Sequence, residues 1–191
     1  QTDDVRNVVA LQDLGESNPT KIGYAVNINA GPNAYPDNTN NAYDPTNIGG
    51  GGSQITNAIR DIATVQSGIL VPGVNEGFDY GKLENARKLQ EGSEFTLNTQ
   101  LGYISLNQRL QNDEILAVAY QFTVGDQVYQ VGEFANDGVD ATDVNTVGGN
   151  PVVTNNSLIL KMLKSTVTSV DQPIWDLMMK NIYNTGAFNL D

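Results

Sequence analysis

The side chains able to do chemistry in this chain are carboxylates. Its 191 residues include no His and no Cys. That removes Ser-His catalysis, thiolate chemistry, disulfides, zinc–cysteine sites and His-ligated metals. Asp137, Asp140 and Asp143, in FANDGVDATDVN, could offer oxygens to calcium. Their spacing departs from an EF-hand loop, whose ligands alternate around a fixed glycine. An ordinary solvated acidic loop is therefore expected, with no metal. The cluster Asp37, Asn38, Thr39, Asn40, Asn41 and Asp44 reads the same way. Asp113 with Glu114, and Glu76 with Asp79, could supply the paired carboxylates of glycoside hydrolysis. Carboxylates are also common at strand starts and turns, and acid–base work needs surroundings that shift a pKa. No catalytic residue and no cofactor is assigned, and no enzyme is expected. Tyr24, Tyr35, Tyr43 and Tyr80 lie in or beside loops, where rings can stack on sugars or peptides. They keep a surface carbohydrate-binding or adhesin module as the alternative function. Trp175, the single tryptophan, suits the core or an anchor to a larger body.

The charge narrows the partners. Ten Lys+Arg against 22 Asp+Glu give a formal net charge of −12. Nucleic acid needs a basic patch to meet its phosphates, so it is excluded as a partner. An anionic membrane surface is disfavoured for the same reason. No apolar run is long enough to cross a bilayer as a helix. The expectation is one soluble domain over residues 1–191, cut from a longer protein.

The element that should organise the fold is a hairpin. Residues 113–123 and 127–134 are rich in Val, Ile, Tyr and Phe, with Gly125-Asp126 between them. Gly accepts the positive φ of a type I′ or II′ turn. That turn sets Val124 opposite Gln127, Phe122 opposite Tyr129, Tyr120 opposite Val131 and Val118 opposite Glu133. The face with Phe122 and Tyr129 should be buried. Residues 2–15 fit either a helix or a strand. Residues 21–28 alternate as a strand. Residues 29–53 and 135–156 are polar and turn-rich and read as flexible loops. Gly49–Gly52 lacks the Lys-Ser or Lys-Thr of a phosphate loop. Apolar spacing predicts helices over 53–68, with Ser53 as N-cap and Gly68 as stop, and over 81–91, ended by Gly92. A third helix is expected over 171–185, with Ile174, Leu177, Met178 and Ile182 inward. Residues 158–168 fit a strand or a short helix, and a strand with Leu158, Leu160 and Met162 on one face is favoured. No internal repeat stands out. The fold class is α+β, mainly antiparallel sheet or sandwich with two or three short helices, and no parallel sheet is expected.

Five blocks carry a resemblance: LGYISLN, DEILAVAY, YQVGEF, LILKMLKS and PIWDLMMKNIY. In this order they resemble the SprA (Sov) family of Bacteroidetes, from about Val5 to Tyr183. The resemblance implies an outer-membrane translocon of type IX secretion that is needed for gliding motility. It implies a cell-envelope location, at the outer membrane, and contact with other translocon or motility proteins and with secreted cargo.

Overall fold

The computed structural model describes residues 5–12, 48–49, 55–136, 140–147, 149–172, 174–175 and 178. The frame is a four-stranded mixed sheet. Strand β1 (Val5–Leu11) sits inside it, beside β2 (Tyr80–Arg87) on one flank. The three short strands β3 (Phe95–Asn98), β4 (Tyr103–Leu106) and β5 (Leu116–Val118) follow in sequence. Two further hairpins are β6 (Tyr120–Val124) with β7 (Gln127–Val131), and β8 (Thr142–Val147) with β9 (Asn150–Asn155). Strand β10 (Leu158–Lys164) returns to the centre of the sheet, giving the order β2-β1-β10-β5.

The ambiguous N-terminal segment is thus a strand. Its residues show no alternation because both faces are covered. Val9 and Leu11 enter one apolar cluster with Ile55, Ile59, Tyr80 and Ile159. Ala10 enters a second with Met162, Ile174 and Met178. A strand buried on both sides reads as a continuous apolar run. Each fully buried Ile or Val here contributes about 1.5–3 kcal/mol of transfer free energy.

The core of the sheet corrects one expectation. β1 and β10 pair in parallel, Val9 opposite Ile159, while β1–β2 and β10–β5 are antiparallel. The strand predicted over 158–168 is present as β10, with Ile159 as well as Met162 fully buried.

Two predicted helices are absent in that form. Residues 81–87 are strand, because Leu83 and Ala86 owe their three-residue spacing to a β-bulge. Arg6 pairs with Ala86 and Val8 with Leu83, so two residues of β2 oppose the single Asn7. The bulge places Asn85 at φ 52°, and its amide donates to the Asn7 side-chain oxygen at 3.0 Å. A bulge inserts one residue into the period of two and so mimics helical spacing. Within 53–68 the described residues form a 3-10 turn at Asn57–Arg60 and a short helix at Val65–Gly68. Ile55 and Ile69 bridge across the two. Gly68 is a close-approach glycine. A Cβ there would lie 2.7 Å from the Ile59 Cα and 2.8 Å from the Ala58 carbonyl carbon.

The Gly125-Asp126 hairpin has the expected register, with Tyr120 opposite Val131, Phe122 opposite Tyr129 and Val124 opposite Gln127. Gly125 takes φ 61°, which both candidate turns require at that position. The long strand predicted over 113–123 breaks at Ala119. Residues 116–118 turn away to pair with β10, so Val118 opposes Lys161 and not Glu133. Phe122 is half-buried against the first cluster, and Tyr120 is exposed.

Residues 142–155, expected in a loop, form the β8–β9 hairpin. Residues 174, 175 and 178 are helical, with Ile174 and Met178 buried and Trp175 packed beside them. Leu177 and Ile182, the strand over 21–28, and residues 29–53 apart from 48 and 49 lie outside the described residues. Among the described residues no helix is long and apolar enough to cross a membrane.

Candidate functional site

Among the described residues, the most deeply buried ion pair joins distant parts of the chain. The Arg60 guanidinium donates to both Glu133 carboxylate oxygens, at 2.5 and 2.6 Å. Their side chains are 15% and 0% exposed. Arg60 also donates to the Ser157 carbonyl at 3.1 Å, and the Ser157 amide donates to the Arg60 carbonyl at 2.7 Å. Glu133 accepts the Ile159 amide at 2.8 Å, while its own amide donates to the Ile159 carbonyl at 3.0 Å. The pair therefore fixes the 3-10 turn and the end of β7 onto the start of β10. Bidentate guanidinium–carboxylate geometry is directional, so it positions as well as binds. Sequence reasoning missed both residues. The available signal was a lone acid closing the apolar strand VYQVGEF.

Two lysines of β10 work in the same manner. Lys161 is buried and donates to the Gln12 carbonyl at the end of β1. Lys164 donates to the carbonyls of Gln111 at 2.9 Å, Asn112 at 3.2 Å and Glu114 at 2.6 Å. Burial pushes the Lys164 ammonium below its ordinary value. Ser165, fully buried, donates to the Gly77 carbonyl at 2.5 Å. The block LILKMLKS thus spends its polar side chains on backbone carbonyls of three other segments.

One member of each carboxylate pair considered for hydrolysis caps a turn. Asp79 accepts the Asn75 amide at 2.8 Å, and Glu76 pairs with Lys82 at 2.9 Å. Glu114 accepts the Gln111 amide at 2.7 Å, and Asp113 is exposed. The Asp79 turn also recurs fifteen residues later. NEGFDY at 75–80 and QEGSEF at 90–95 fold alike. The Gln90 amide donates to Glu94 at 2.9 Å, as Asn75 does to Asp79. Gly77 and Gly92 take φ 89° and 87°, and their amides donate to Tyr80 and Phe95, each at 2.7 Å. The two acids differ in setting. Burial raises the pKa of Asp79, against the opposing Asn75 amide. The Gln90 amide, and then Arg87, lower that of half-buried Glu94.

Of the calcium candidates, Asp140 offers its carbonyl to the buried Arg6 at 3.4 Å. Asp143 accepts from the Asn156 side chain at 3.0 Å, and Asp137 lies outside the described residues. No group of three or more acidic residues converges among the described residues. Tyr80, offered as a stacking ring, is instead core, its hydroxyl donating to Gln66 at 2.7 Å. Tyr24, Tyr35, Tyr43 and the 37–44 cluster lie outside the described residues.

Part of the chain braced in this way matches a known family. The family of motility related/secretion proteins designated SprA_N matches residues 1–126. The chain belongs to this family. No curated protein matches the chain. The SprA_N match ends inside the β6–β7 turn, yet Glu133, Lys161 and Ser165 beyond it complete the sheet that β1 begins. The family's description is one of motility and secretion, not of an enzymatic activity.

Proposed function

We propose that this chain is a non-catalytic structural and interaction segment of a SprA-like type IX secretion and gliding motility translocon. It belongs to the cell envelope, at the outer membrane, as a single domain outside the bilayer of a larger protein. Its partners there are other translocon or motility proteins and secreted cargo. The observation that carries this reading is the use made of the polar motif residues. Glu133, Lys161, Lys164, Ser165, Asp79 and Glu114 are all spent on the chain's own backbone or ion pairs. A catalytic carboxylate instead needs a side that faces substrate, and in glycoside hydrolysis also a second acid across the cleft. The motility and secretion description of SprA_N supports the same reading.

The test is genetic and uses the full-length parent. Deleting residues 101–134 removes β4 to β7 and the Glu133 brace, and should abolish secretion. Single Asp140→Asn or Asp143→Asn substitutions should leave secretion near normal. If either substitution abolished secretion while the protein still accumulated and resisted proteolysis, a calcium-binding or catalytic reading would replace this one.

A further inference from the structure

The β8–β9 hairpin stands apart from the four-stranded sheet and pairs with no other described strand. Val144 and Val153, opposite one another, are 66% and 63% exposed. An isolated two-stranded ribbon is marginal in water, and its unpaired edges are templates for another strand. Here the two edges differ. The turn has two residues, with Val147 opposite Asn150. That closing pair exchanges hydrogen bonds, so the next pair, Thr146 with Pro151, directs its backbone groups outward, and alternate pairs follow. Thr142, Val144 and Thr146 therefore present their N–H and C=O groups along the outer edge of β8. On β9 the equivalent position is Pro151, which has no N–H and whose ring obstructs an incoming strand. Pro151 thus obstructs the β9 edge next to the turn, whereas the β8 edge carries no such block and pairs with no other described strand.

The arm is also firmly presented. Buried Arg6, in β1, donates to the carbonyls of Asp140 and Asn156 at the base of the arm, at 3.4 and 3.3 Å. The Asn156 amide donates to the Ala141 carbonyl at 3.0 Å. Asp143 is the one charged residue between 142 and 155. Its carboxylate is held by Asn156 and so does not guard the edge.

Taking the interaction role proposed above as given, we infer that the β8 edge is the docking surface, and that it adds an extended, basic-apolar strand of another protein. Charge selects the occupant. A chain of net charge −12 favours a strand carrying Lys or Arg and opposes a second copy of itself. Main-chain hydrogen bonds supply affinity in such strand addition, and alternate side chains supply specificity.

The test uses the purified full chain and an eight-residue alternating Val/Lys peptide, with a Val/Glu peptide and an alternately N-methylated Val/Lys peptide as controls. The Val/Lys peptide should slow amide exchange at Thr142, Val144 and Thr146, and at no amide of β9. Its binding should exceed that of either control at least tenfold. Val144→Pro copies the Pro151 device on β8 and keeps the inward ladder, so it should weaken binding at least tenfold with an unchanged melting temperature. The N-methylated control keeps the inference testable should that variant unfold. Outward amides already protected in the free monomer would overturn it. So would equal binding of all three peptides, or protection that rises with protein concentration alone, which would make the occupant a second copy. Failure here, with secretion still lost on deleting residues 101–134, would remove the β8 edge and leave the structural role standing.

Discussion

Replacing Glu133 by Ala tests the reasoning most directly. The substitution removes the two carboxylate acceptors of the Arg60 guanidinium and the side-chain acceptor of the Ile159 amide. Breaking a buried ion pair by deleting one partner costs about 3–5 kcal/mol, because the other charge stays behind. The orphaned Ile159 amide costs about 1–3 kcal/mol by itself, partly counted in that range already. Arg60 is 15% exposed and keeps its bond to the Ser157 carbonyl, so some water reaches it and softens the loss. The expected total is about 4 kcal/mol, a large share of the roughly 5–15 kcal/mol that a domain possesses. Urea unfolding of parent and variant measures it, read as a fall in midpoint at constant slope. Removing both partners, as Arg60→Met with Glu133→Ala, should cost less than the sum of the single changes, since no buried charge then lacks its partner. A Glu133→Ala cost under about 1 kcal/mol would refute the brace. Strict additivity of the pair would refute it equally, because the two side chains would then not be coupled.

Two further outcomes follow from local geometry. Gly68→Ala pushes a Cβ against the Ile59 and Ala58 backbone, which cannot rotate aside. Overpacking of this kind costs about 1–3 kcal/mol, and should lower the melting temperature by several degrees; an unchanged melting temperature would show that the Gly68 contact is not tight. The carboxyls of Asp79 and Glu94 should titrate on opposite sides of their ordinary values in an NMR pH series, Asp79 above and Glu94 below. Because the folded state holds the Asp79 proton more tightly than the unfolded chain does, its stabilising share is complete below its ordinary pKa of 3.8. That share is lost as the pH rises through the folded value, so Asp79→Asn should gain on the parent above that window and not below it. An Asp79 titration at or below its ordinary value would remove the argument.

Some of this fold was legible in the residues alone. Gly125-Asp126 between two β-rich runs determined its turn and the pairing of Phe122 with Tyr129, because backbone sterics at a two-residue turn leave little choice. The strand at 158–164 was favoured over a short helix by the alternation of Leu158, Leu160 and Met162. The acidic balance and the missing His and Cys determined which chemistries were unavailable before any coordinates. The ordered blocks pointed to SprA, and the SprA_N match over 1–126 agrees.

The rest was decided by contacts between residues far apart in the chain. Nothing local says that β10 will lie parallel to β1, since Val9 and Ile159 meet across most of the sequence. The Asn85 bulge arises from pairing with Arg6 and Val8, and on the page of a sequence its spacing is that of a helix. Gly68 resembles a helix stop, but its role depends on how closely Ile59 approaches. Glu133 looks like any acid at a strand end, until folding removes water and brings Arg60 to both of its oxygens. Turn sterics act over a few residues and are written in order along the chain. Desolvation and ion pairing act through space, and they came into being only when the sheet closed.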